Sequence, residues 1–379
     1  MRKYIMKKRQ VLLLAAALSV TTALASCGKK DETPEVTEPP VIDMDPGSSA
    51  EEEEPGTSAV EEETRDGMVR NPLTNEWIDE ALKDQRPIAL MVDNDKRATP
   101  HYGLSQVDIL YEMTNSTKNS GITRLMPIIK DWEGIKQIGS MRSARPSNLT
   151  IMPEWNAVFF YFGGPFYIDD YIAKDYVDSV DGNKDSDCFM RVNNGKPSEF
   201  TAYGHGEGFA KGFEKKGYSR TYNEYYEGAH YQFASESSPV ELTADQGAEN
   251  ASRIDLAFAL NKPYFEYNES DGLYYRFQYG EKHIDAENNS QLAFKNLLIQ
   301  NTRYEELDDN GYMAFYTIDD KMDGYYVTNG KAIHITWKKT DACSPTRYFD
   351  DNGKEIVLNT GKTYVALVPN DIFKNNKIQ

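Results

Sequence analysis

Residues 31–66 constrain the fold first, because they cannot contribute a core: fourteen Asp or Glu stand against one Arg, interleaved with Pro, Gly, Ser and Thr. Such a segment has almost nothing to bury and its like charges repel, so the sequence predicts a disordered, extended tether. What precedes it has the order of an export signal. Arg2, Lys3, Lys7, Lys8 and Arg9 form a charged start, and Val11 to Val20 form an apolar run too short to serve as a bilayer span. Leu24-Ala25-Ser26-Cys27 then sets a leucine three residues before a cysteine, with small residues between. That is the pattern of a lipobox, at which a signal peptidase cuts and the cysteine thiol receives lipid. The expected organisation is a lipoprotein signal peptide over residues 1–26 and an acylated Cys27 opening a tether through residue 66. A folded body follows, anchored through lipid on the extracytoplasmic side of the cell membrane.

The net charge of −18 conceals this division, since residues 1–30 carry +7, residues 31–66 carry −13 and the body keeps −12. A moderately acidic, aromatic-rich body has no basic stripe with which to replace counterions, which excludes nucleic acid as a partner. From Gly67 onward about 310 residues remain, more than one core usually holds, so two domains are expected. Over 67–238 the texture is α/β. Ile88 to Val92 and Ala157 to Phe162 read as strands buried on both faces, and Glu207 to Lys216 reads as a helix ended by Gly217. Over 239–379, short alternating strands broken by Asp271-Gly272, Asn329-Gly330 and Asp351-Asn352-Gly353 predict a mainly antiparallel β domain, giving an α+β chain overall. Leu273, Tyr275, Phe277 and Tyr279 share one strand face, and Gln291 to Asn296 is compatible with a short helix.

The strongest local signal is Ile138-Gly139-Ser140-Met141-Arg142-Ser143-Ala144-Arg145-Pro146, a strand end running through two arginines into a helix that starts near Pro146. Arg142, Ser143 and Arg145 there suit a carboxylate, phosphate or sulfate. Asp93, Asn94 and Arg97 gather at the end of a buried strand, where open α/β sheets bind ligands. Asp108 and Glu112 share a strand face; Arg124, among apolar neighbours, needs a carboxylate, and Glu112 is the expected partner. Asp93, Asn94, Arg97, Glu112, Arg124, Arg142, Ser143 and Arg145 are therefore the candidate binding residues for an anionic small molecule, a cell-wall ligand or an envelope protein. The alternatives are a cell-envelope glycan hydrolase using Asp93, Asp108 or Glu112, which needs paired carboxylates about 5–9 Å apart, or a structural scaffold.

Metal and cofactor are not expected. Asp181 to Asp187 spaces oxygen ligands as a calcium loop does, but Ser186 and Val192 stand where glycine and glutamate are required. The five histidines lack zinc spacing. An exported location permits a disulfide between Cys188 and Cys343 without requiring it.

At these residues the chain resembles the YerB-like lipoproteins, a family with a two-part domain of unknown function. Asn71-Pro72-Leu73-Thr74, the run from Arg86 through Asn94, the run from Gly103 through Glu112, Gly121-Ile122-Thr123-Arg124-Leu125 and Arg142-Ser143-Ala144-Arg145-Pro146 are similar to the family's first part. Gly330-Lys331 through Trp337-Lys338-Lys339 and Gly361-Lys362-Thr363-Tyr364 are similar to its second. The resemblance implies the lipid anchor and the two-part architecture but no reaction. Lys196-Pro197-Ser198-Glu199 departs from it, with Ser198 where the family often has a histidine, so a mechanism needing that histidine is not expected.

Overall fold

The structure, a computed structural model, describes residues 64–379. The expected signal peptide, Cys27 and the tether up to residue 63 lie outside the described residues. The body reaches back slightly further than expected: Arg65 lies over the Trp77 ring, 4.9 Å from its centroid.

Strands dominate, and among the described residues only three α-helices form: Pro146–Ile151, Asp169–Ile172 and Gly206–Lys216. The last matches expectation, closing on Gly217 in the left-handed conformation at φ 70°, where glycine avoids the Cβ penalty. The expected strands are present as Ile88–Leu90 and Val158–Tyr161, parallel to one another. Regular alternation of strand and helix is absent from the first half. An antiparallel hairpin, Ile109–Thr114 with Thr123–Ile129, occupies much of the chain between those two parallel strands.

One mixed sheet runs through both halves. Thr363–Pro369 inserts parallel between Asn296–Thr302 and Ile109–Thr114, and so joins the second half's strands to the first half's hairpin. The described residues lie in one compact unit through which this sheet runs. Because side chains alternate along a strand, the sheet feeds two cores. Leu110, Leu125, Phe160, Leu297 and Tyr364 pack on one face; Tyr111, Met126, Phe159, Leu298 and Val365 pack on the other.

A smaller antiparallel sheet, built on Arg253–Asp255, Tyr264–Asn268 and Leu273–Gln278, covers the first face together with Phe209 and Phe213 of the Gly206–Lys216 helix. Its Leu273–Gln278 strand buries Tyr274, Arg276 and Gln278, while Leu273, Tyr275 and Phe277 form the less buried side. The segment from Gln291 is strand, with Ala293–Phe294 pairing onto Leu273–Gln278, so the short helix considered there does not form. Backbone pairing with an existing sheet prevailed over a weak local helix preference.

Candidate functional site

Arg142 is fixed by the backbone before its side chain makes any contact. Its N–H donates to Met91 O at 2.8 Å and its carbonyl accepts from Phe162 N at 2.9 Å, which stitches it across the ends of the two parallel strands. Ala144 N donates to Gly163 O, and Pro146 then opens the short helix. Arg142 Nε lies 2.8 Å from Asp93 Oδ2 and one Nη lies 3.0 Å from Glu199 Oε2. The result is a cleft of about 130 Å³ lined by Arg142, Ser143, Phe162, Arg191, Ser198 and Glu199. Ser198, the point at which the chain departs from the family resemblance, sits on the wall of the cleft that holds two arginines.

Arg124 and Arg145 are buried, at 6% and 5% exposure. Arg124 donates to Ser143 O and Arg145 to Ala144 O at 2.7 Å. The Arg145 guanidinium stacks 3.9 Å from the Tyr312 ring centroid. Burial, followed by the neighbouring Arg145 charge, pulls Arg124 well below its ordinary value, and burial lowers Arg145 as well. The expected Arg124–Glu112 pair does not form. Arg124 lies opposite Met113 in the hairpin register, and its strand neighbours Leu125 and Met126 feed different cores; with Met126 two residues on from Arg124, the two expected partners point to opposite faces of the sheet. Arg97 is exposed and closes on its own neighbour Asp95, at 3.0 and 2.7 Å.

Glu112 instead anchors a buried network that joins the two halves. Its Oε1 accepts from Asn94 Nδ2 (3.2 Å), Thr123 Oγ1 (2.7 Å) and Asn261 Nδ2 (2.7 Å). Its Oε2 accepts from Arg276 Nη2 (2.5 Å) and the Tyr364 hydroxyl (2.6 Å). Burial opposes ionisation, but Arg276 and the Tyr364 and Thr123 hydroxyls overcome it and hold the carboxyl below its ordinary value. Arg276 also contacts His283 Nδ1, whose Nε2 lies 2.8 Å from His101 Nδ1; His101 Nε2 lies 2.7 Å from Asp93 O. A carbonyl only accepts and a guanidinium only donates, so one assignment satisfies the chain: both imidazoles are neutral and each carries its proton on Nε2. Burial agrees, pushing His101 down to about 4 and His283 well below its ordinary value.

Asp108 is separate. It accepts from Asn71 Nδ2 at 2.8 Å and Lys130 N at 2.6 Å, and burial raises it to about 6. Asp93, Asp108 and Glu112 thus answer to different partners, and none of the three lines the Arg142 cleft. The structure brings Arg142 and Ser143 to the cleft, with Asp93 paired to Arg142; Arg124 and Arg145 line a separate small cavity, and Asn94 and Glu112 belong to the inter-half network. Sequence reasoning missed Arg276, His283, Asn261, Tyr364 and Arg191. Arg276 alone carried a signal, as a cation at alternate spacing with the buried Tyr274. Cys188 and Cys343 are both free thiols, and Asp185 and Asp187 are held by Lys211, Lys215 and Lys216.

Among the described residues no helix is long and apolar enough to cross a membrane. Residues 73–219 match the N-terminal domain, and residues 254–365 the C-terminal domain, of the protein of unknown function described as DUF3048. The Bacillus subtilis (strain 168) protein named "Putative lipoprotein YerB" is 25% identical over 313 residues, covering 79% of this chain and 86% of its own length. The crystal structure of the YerB protein from Bacillus subtilis superposes with a TM-score of 0.69 at 22% identity, covering 82% of this chain and 99% of that one, which shows a common fold. The ordered motifs, the two adjoining domain matches and the shared fold agree, and the chain belongs to the YerB-like DUF3048 family, whose function is unknown.

Proposed function

We propose that the body is an extracytoplasmic binding module for an anionic ligand, held at the membrane through lipid on Cys27, with the Arg142 cleft as its site. One observation carries this reading: Arg124 and Arg145 are buried, donate to the carbonyls of Ser143 and Ala144 in the same turn as Arg142, and form no ion pair among the described residues. Buried cations are ordinarily paired, because an uncompensated one costs several kcal/mol. Arg145 Nε has no hydrogen-bond partner, nor has Oδ1 of Asn115, which lines a small cavity with Arg124 and Arg145, distinct from the Arg142 cleft. Arg142 can exchange its Glu199 contact for a ligand oxygen at little cost, since Glu199 is 43% exposed and such pairs contribute only about 0–1 kcal/mol. Carboxylates engaged by Arg276 and Arg142 support binding over glycan hydrolysis.

Thermal denaturation of the chain with and without phosphate, sulfate or acidic cell-wall fragments tests the site. A ligand that binds only the folded state raises the Tm. We expect this rise in wild type and its loss in a folded Arg142→Gln/Arg145→Gln variant. No rise with any of these anions, or gross unfolding of the double variant, contradicts the reading and marks the arginines as structural.

The anchor rests on the lipobox and on the lipoprotein name of the Bacillus subtilis relative. Metabolic labelling with a fatty acid is expected to mark wild type and to leave Cys27→Ala unlabelled and unprocessed. Equal label in both removes the anchor.

A further inference from the structure

A cleft of about 530 Å³ shares no lining residue with the arginine cleft. Its volume falls within the range of small-molecule sites, about 300–1,000 Å³. One wall comes from the Leu273–Gln278 strand and the 288–295 segment, the other from the turns at 104–106 and 360–362.

Its chemistry differs from that of the arginine cleft. The two lysines that reach it are engaged by the protein. Lys362 Nζ donates to Ser105 O, and Lys295 Nζ donates to Asn329 Oδ1 at 2.6 Å and Gly272 O at 3.2 Å. Asp271 is likewise engaged, accepting from the Tyr275 hydroxyl at 2.7 Å and Asn268 Nδ2 at 2.9 Å. The charges of Lys295 and Lys362 are offset on these walls by the carboxylates of Glu76 and Asp271, so the lining carries no net charge to attract an anion.

Neutral hydrogen-bonding groups beside apolar surface remain. Gln291 donates its amide to Arg276 O at 2.9 Å, which fixes the side chain and leaves its carbonyl oxygen for a donor. Gln106 and Ser290 are exposed, and Asn288 is oriented by its bond to Ser105 Oγ at 2.9 Å. Between them lie Leu273 and the half-buried Tyr275 ring, held in place by its hydroxyl. Amides and hydroxyls that can both donate and accept, arranged around an aromatic face, complement a molecule carrying hydroxyls at its rim and C–H groups on its faces. We infer that this cleft binds an uncharged, hydroxyl-rich ligand, a short neutral glycan. The inference is independent of the anion reading because the residues do not overlap.

Saturation-transfer NMR on the full chain, with N-acetylglucosamine oligomers and cello-oligomers as probes and an acidic oligosaccharide as comparison, tests it. We expect transfer to the sugar C–H protons of at least one neutral series. That transfer should be lost in Tyr275→Ala and weakened in Gln106→Ala, whose side chain holds nothing else in place. It should persist in Arg142→Gln/Arg145→Gln, which separates this site from the arginine cleft. The inference is overturned if neither neutral series shows transfer, if transfer survives unchanged in both cleft variants, or if only the acidic oligosaccharide responds at this cleft.

Discussion

Replacing Arg276 by Met is expected to destabilise the body by about 3–5 kcal/mol. The substitution keeps much of the volume and removes the one cation that pairs with Glu112 among the described residues, a carboxylate with 0% exposure at the junction of the two halves. Asn94, Thr123, Asn261 and Tyr364 still donate to it, but neutral donors do not replace a charge in a medium of low dielectric. His283 Nδ1 loses its donor in the same step. Denaturant unfolding of the single variant, of Glu112→Gln and of the double variant measures the coupling. The double variant is expected to recover part of the loss, because neither charge is then stranded. A single-variant loss below about 1 kcal/mol would place Arg276 among ordinary surface ion pairs.

Acid is expected to loosen the same junction. Both histidines are neutral when folded, and His101 is held at about 4 against an ordinary 6.5 in the unfolded chain. A histidine depressed in this way contributes stability that is fully present above pH 6.5 and is lost as pH falls toward 4, because the unfolded chain takes up the proton first. For His101 alone the loss amounts to about 3 kcal/mol, and His283 adds to it in the same direction. Asp108 works oppositely. Burial raises it to about 6 from 3.8, so its contribution is full below pH 3.8 and disappears as pH rises through 6. Comparing wild type with His101→Gln across pH 7.5 to 4 cancels the Asp108 contribution, which both share. Wild type should lose stability more steeply as pH falls; parallel curves would mean that His101 titrates normally in the folded state.

Much of the frame was legible because it rests on local patterns. Apolar runs marked Ile88–Leu90 and Val158–Tyr161, and Gly217 marked the end of the Gly206–Lys216 helix. The single sheet through both halves was hidden, because the register that inserts Thr363–Pro369 beside Ile109–Thr114 is set by residues some 250 positions apart, and no local pattern encodes a parallel pairing of that separation. The arginines at 142 and 145 were legible from their place before Pro146, as were Asp93 and Ser143 near them. Arg124 reads as needing a carboxylate, with Glu112 as its expected partner, and that pair does not form. Arg124 is close in sequence but faces the other core. Arg276 comes from a strand whose more apolar side, Leu273, Tyr275 and Phe277, is the less buried one. Hydrophobic alternation assigns the inward face by burial of apolar area, and it inverts where the buried partner is a charge.

The direct test of the binding account is diffraction from crystals soaked in selenate, recorded at the selenium absorption edge. The account predicts an anomalous peak in the cleft against Arg142 and Arg191, with the Glu199 carboxylate displaced from Arg142. No peak there, with Arg142 still clamped between Asp93 and Glu199 and Arg145 Nε bonded only to water, would contradict it.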